Sequence, residues 1–126
     1  MEIVRRIYDA YLSGNYDAAF AVIDPAVEFD GTARPEGGVY HGHEGLAEAL
    51  RTWTGTWEVW RLEVVEIIDA GEKVVAVERQ SGRGRGSGVP LTQLTATLFE
   101  FRGGKVHRMA WFTTPEAGRR AAGLQE

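Results

Sequence analysis

Apolar residues recur at helical spacing in the first half of the chain and crowd into strand-like runs in the second. Ile3, Val4, Ile7, Tyr11 and Leu12 fall along one helical face, and Gly14 stands where a left-handed cap ends such a segment, so a helix is predicted over residues 2–13. A shorter helix fits Tyr16 to Ile23, with Asn15 as its cap and Pro25 blocking its extension. Val27 to Asp30 reads as a short strand, and Gly31 to Gly38, with three glycines and Pro35, reads as a loop. After a short extended piece, Val39 to His41, a third helix is predicted over Glu44 to Thr54, with Leu46, Ala47, Leu50 and Trp53 on one face.

Beyond it the β-branched and aromatic residues dominate. Residues 58–69, 73–83, 90–102 and 105–113 are predicted as strands, broken by turn chemistry at Asp69-Ala70-Gly71-Glu72 and Arg102-Gly103-Gly104. They form a four-strand antiparallel meander, and a last helical turn is expected over Pro115 to Ala122. Helices first and a meander after predict a single α+β domain over residues 1–126, a curved sheet folded around three helices. Val74 to Val77, Leu98-Phe99 and Met109 to Phe112 are apolar at both parities, so both sheet faces are expected to be covered. Helices on one face leave the other for a second copy, which predicts a homodimer.

Composition narrows the function classes. The 126 residues carry 14 Lys and Arg against 18 Asp and Glu, a net charge of −4 that repels a phosphate backbone, so no nucleic acid is expected as a partner. The Arg83 and Arg85 of Gly82-Arg83-Gly84-Arg85-Gly86-Ser87-Gly88 are too few to reverse this, and the glycines there suit a sharply bent hairpin. That spacing also matches no phosphate-cradling loop. Arg5 and Arg6 interrupt the first apolar residues, and no apolar run is long enough to span a bilayer; a cytoplasmic protein with no membrane partner is the expectation. There is no cysteine, hence no disulfide and no thiolate metal ligand.

This order of elements, with Gly14-Asn15-Tyr16-Asp17, Asp24-Pro25-Ala26-Val27-Glu28-Phe29-Asp30, Val39-Tyr40-His41-Gly42-His43-Glu44-Gly45 and Ala121-Ala122-Gly123-Leu124, resembles the SnoaL-like branch of the nuclear transport factor 2-like superfamily over nearly the whole chain. The resemblance implies a cone-shaped fold in which helices close an apolar pocket, in a dimer. It does not fix an activity, because the family contains ketosteroid isomerase, polyketide cyclases, dehydratases, epoxide hydrolases and non-catalytic binders.

By that resemblance Asp30 falls where ketosteroid isomerase carries its general base. A carboxylate among apolar walls loses hydration and becomes a better proton acceptor near neutrality. The residues support a loop-capping aspartate with equal justification, since Gly31 and Thr32 follow. The oxyanion donors of that enzyme, a tyrosine and a protonated aspartate, align with Ile7 and Thr97, which speaks against steroid isomerisation. The last strand, Met109-Ala110-Trp111-Phe112-Thr113-Thr114, lacks the ionisable groups that limonene-epoxide hydrolases place there, and Thr114 stands where SnoaL-like cyclases often keep an acid.

His41 is the candidate acid–base partner of Asp30. Paired with His43 it also suggests a metal, but no further ligands follow at zinc-like spacing, so no metal and no organic cofactor is expected. Tyr40, Trp57, Trp60, Gln93, Thr97 and Trp111 are the candidate ligand contacts, with Trp57 and Trp60 a rim for a ring-shaped ligand. Glu78 and Gln93 are polar residues in apolar strands and need a partner or a function; pairing of Glu78 with Arg79 or Arg108 at an edge is one solution. The expected function is a pocket for a small apolar, cyclic molecule. It is either an isomerase, cyclase or lyase that abstracts a proton from carbon beside a carbonyl, or a binding or dimerisation module without chemistry.

Overall fold

In the computed structural model, which describes residues 2–34, 37–86 and 88–124, the helices α1 (Glu2–Leu12), α2 (Tyr16–Ala21) and α3 (Gly42–Gly55) lie against one face of a six-stranded sheet. The strands are β1 (Ile23–Asp30), β2 (Val39–His41), β3 (Trp57–Ala70), β4 (Lys73–Gly84), β5 (Pro90–Arg102) and β6 (Lys105–Phe112), in the order β2-β1-β6-β5-β4-β3. All neighbours are antiparallel except β1 and β6, which run parallel. The expected α+β class and the β3–β6 meander are both present.

α1 buries Val4, Ile7 and Tyr8, an i, i+3, i+4 set that forms one stripe toward the sheet. α2 is shorter than its sequence pattern predicts, ending at Ala21, because Ile23 already belongs to β1. β1 tolerates Pro25 because its register with β6 is interrupted between Ile23 and Glu28. The missing N–H of proline therefore breaks no ladder hydrogen bond.

Register irregularities curve the sheet, two of them in β3. β3 carries extra residues opposite β4 between Trp57 and Val59 and between Val64 and Glu66. At the first of these Gly82 has φ +153°, and a Cβ there would meet the Val59 carbonyl oxygen at 1.8 Å. The extra residue turns Trp57 and Trp60 to the same side. The β4–β5 register runs without a shift from Lys73↔Glu100 to Arg83↔Pro90, so the faces are not exchanged between these strands.

The main core fills the concave side: Val4, Ile23, Val27, Leu46, Val74, Phe99 and Val106 are all essentially inaccessible to solvent. One expectation about the outer face is corrected. α4 (Pro115–Ala121) folds back over it and covers a second cluster, Val75, Ala96, Leu98 and Ala110. Thr114 caps α4 by accepting from the Ala117 amide. Gly118 lets the helix sit close, since a Cβ on it would lie 2.6 Å from that of Ala96. Part of the apolar outer face is thus covered within the chain, which leaves less of it for a second copy.

Candidate functional site

Between the concave face and the three N-terminal helices lies an apolar cavity of about 100 Å³. Ile7, Phe20, Leu46, Leu50, Phe99 and Met109 supply most of its wall. Into this wall the sheet inserts a polar patch. Glu78 of β4 is 3% exposed and lines the cavity. Its register partner is Thr95, and the neighbouring pair Ala76↔Thr97 puts Thr97 diagonally beside it on the same face.

Three hydroxyls donate to this carboxylate. Tyr8 and Thr97 (2.9 Å) donate to Oε2, and Thr95 donates to Oε1 at 3.0 Å. Thr95 in turn accepts from the Gln80 amide at 2.9 Å, and the Gln80 carbonyl oxygen accepts from the indoles of Trp53 (2.7 Å) and Trp60 (2.9 Å). All these donors point toward Glu78, and such a chain strengthens each member by polarising the next. Desolvation by burial raises the Glu78 pKa above its ordinary 4.5, outweighing the Tyr8, Thr97 and Thr95 hydrogen bonds that lower it. Burial, and then the neighbouring carboxylate, push the Tyr8 phenol well above its usual 10.0, so Tyr8 stays a donor.

The residues singled out from the sequence divide into two groups. Trp60, Thr97 and Trp111 line the cavity. Gln93 is opposite Gln80 in the register but is half-buried and outside the cavity wall. Trp57 is 5% exposed and packs edge-on against Trp53 at 5.6 Å, behind the wall. Its indole N–H has no partner among the described residues. Tyr40 packs against Phe29 at 6.3 Å, and His41 is exposed at the start of α3; both border a shallow polar groove on the outside of that helix.

Asp30 is not in the cavity. On β1 it alternates with Phe29, and Phe29 is the residue that lines the wall. Asp30 Oδ1 accepts from the Thr32 amide (3.0 Å) and hydroxyl (2.5 Å), while Oδ2 pairs with Arg108 at 3.2 Å. Arg108 also binds Glu28 and Glu100. The Thr32 hydroxyl and amide, with a smaller contribution from Arg108, hold the Asp30 carboxyl below its ordinary 3.8. The loop-capping geometry is the one present, and the pairing of Asp30 with His41 in a pocket is corrected. His43 hydrogen-bonds the Ile23 carbonyl at 2.8 Å and stacks on Phe20.

Glu78 stands out in the sequence as a polar residue in an apolar strand, but its partners are Tyr8, Thr95 and Thr97 rather than Arg79 or Arg108. Arg79 instead reaches Glu63 across the outer face. Tyr8 lies one residue beyond Ile7, the position to which the resemblance points. The signal was present in its helical spacing from Val4.

A curved mixed sheet closed by N-terminal helices around an apolar cavity defines the nuclear transport factor 2-like class of folds. Residues 4–109 match the SnoaL-like domain, and the chain belongs to that family. A nuclear transport factor 2-like protein from Burkholderia thailandensis E264 superposes with TM-score 0.80 at 25% identity, over 98% of this chain and 96% of that one. TerC, co-crystallised with polyporic acid, gives TM-score 0.76 at 21% identity over 97% and 96%. A protein of ketosteroid isomerase-like fold from Catenulispora acidiphila DSM 44928, in complex with trimethylamine, gives 0.73 at 19% over 98% and 94%. No curated protein matches the chain. No helix among the described residues is long and apolar enough to cross a membrane.

Proposed function

We propose that the protein takes a small, mainly apolar ring compound into the cavity and moves a proton on it with Glu78, in the manner of a cofactor-independent isomerase, cyclase or lyase. The observation that carries this reading is a buried carboxylate with a raised proton affinity in the wall of a largely apolar cavity. Oε2 already accepts two hydrogen bonds, whereas Oε1 accepts one, from Thr95, and is the oxygen with room for a substrate proton. Tyr8, Thr95 and Thr97 fix the carboxyl in place, and the apolar wall keeps bulk water from competing for it. Proteins of the same fold solved with polyporic acid or trimethylamine support a small-molecule role for this architecture.

The test is deuterium incorporation next to the carbonyl of cyclohexanone in D₂O, followed by proton NMR. The protein is expected to accelerate exchange, and Glu78→Gln to remove about 100-fold or more of that acceleration. Binding of cyclohexanone without acceleration would replace this reading by the non-catalytic one, a ligand-binding module in which Glu78 only orients the guest.

A homodimer through the part of the outer face that α4 leaves open belongs to the same proposal. Leu94, paired opposite Arg79 and 44% exposed, lies in that part. Sedimentation at micromolar concentration is expected to give a dimer, and a monomer would remove it.

A further inference from the structure

Arg34 is 8% exposed and lines the same cavity, arriving from the segment that follows β1. Its guanidinium carbon lies 4.7 Å from the ring centre of Trp53 and 5.2 Å from that of Trp111. Among the described residues it has no carboxylate within ion-pair distance and its side chain makes no hydrogen bond. The other arginines facing the sheet are handled differently: Arg108 holds three carboxylates, and Arg79 and Arg119 hold one each.

A charge this deeply buried is costly unless it is paired. Two indole faces attract it, but they leave the planar N–H fork of the guanidinium unfilled. The other charged group of the cavity wall, Glu78, has its own three donors and does not contact Arg34. The cavity therefore presents a cation and a carboxyl that do not neutralise one another.

We infer that Arg34 is the binding residue for an anionic group of the ligand, and that the ligand class is a ring compound bearing a carboxylate. This rests on the cavity being a ligand site. The two-pronged fork of a guanidinium matches the two oxygens of a carboxylate, which a point-charge ammonium does not. Trp53 and Trp111 flank the fork and hold its plane, and the apolar wall receives the ring. At about 100 Å³ the enclosed space is smaller than the roughly 150 Å³ apolar cavity that admits benzene, so a single ring is the upper limit of what it takes, with the substituent directed to Arg34. The net charge of −4 gives no general attraction for anions. Any preference for one is then local to this residue.

Benzoate and benzamide, alike in shape and different in charge, separate the possibilities. Each is titrated near neutral pH into ¹⁵N-labelled protein, following the indole signals of Trp53, Trp60 and Trp111. Benzoate is expected to bind at least tenfold more tightly than benzamide. Arg34→Met should bring the two within about twofold of each other, and Arg34→Lys should keep part of the preference. Equal affinities in the unmodified protein, a comparison that needs no variant to fold, would overturn the assignment while leaving the cavity a ligand site. A benzoate preference that survives Arg34→Met would do the same. If neither compound moves any indole signal, the ligand-site reading itself fails and the assignment falls with it.

Discussion

Two carboxylates on opposite faces of one sheet show how placement decides chemistry. Glu78 looks into the concave side, meets only neutral hydroxyl donors and loses its water, so its proton affinity rises. Asp30 looks outward, keeps solvent contact, caps the turn at Thr32 and faces a guanidinium, so its proton affinity falls. Both accept three hydrogen bonds from side chains or backbone. The number of partners is thus not what separates them. Burial and the presence of a cation are.

The largest effect that sharpens this contrast is on proton transfer. Glu78→Gln is expected to abolish cyclohexanone exchange by about 100-fold or more, whereas Asp30→Asn should leave it within about twofold. The reverse outcome would return the base to the outer face. Next comes stability. Tyr8→Phe removes a buried hydroxyl from a carboxylate, and hydrogen bonds to charged groups contribute about 1.5–3 kcal/mol, so a loss in that range is expected in urea denaturation. The Tyr8 hydrogen bond lowers the Glu78 pKa; without it the pH profile of exchange should move to higher pH. An unchanged profile would mean that the two groups are not coupled.

The smallest effect is on the pH dependence of stability, where the two carboxyls should act with opposite signs. The raised Glu78 pKa means that the folded state holds its proton more tightly than the unfolded chain. Stability from this residue is greatest below the ordinary value of 4.5 and declines as pH rises through the higher folded value. The lowered Asp30 pKa gives stability that is present above 3.8 and lost as pH falls through the lower folded value. Denaturation curves across this range should flatten on the alkaline side in Glu78→Gln and on the acid side in Asp30→Asn. Equal flattening on both sides in either variant would show that the assignment of faces is wrong.

Much of the fold was readable in advance because it rests on local patterns. The stripe of α1 and the turn at Asp69 to Glu72 are each contained within a dozen residues, and each strand of the meander shows its β-rich composition within 14 residues or fewer. The site was less so. Trp60, Thr97 and Trp111 are polar-tipped or hydroxyl residues in apolar strands and line the cavity, but Tyr8, Glu78 and Gln80 form their network across separations of 15 to 70 residues, and no local spacing announces it. Strand alternation makes Phe29 and Asp30 mutually exclusive as inward residues, and a resemblance in sequence does not say which one turns in. Likewise α4 has too short a pattern to reveal which face it covers; Gly118 against Ala96 decides that in space.

What the chain determined by itself was its periodicity, and with it the elements, their order and the apolar stripes that must be buried. Tertiary structure decided what those stripes enclose. Only when β4 meets α1 does a glutamate become a desolvated group held by a tyrosine seventy residues away, because the electrostatic cost of losing water depends on neighbours in three dimensions and not on those in sequence.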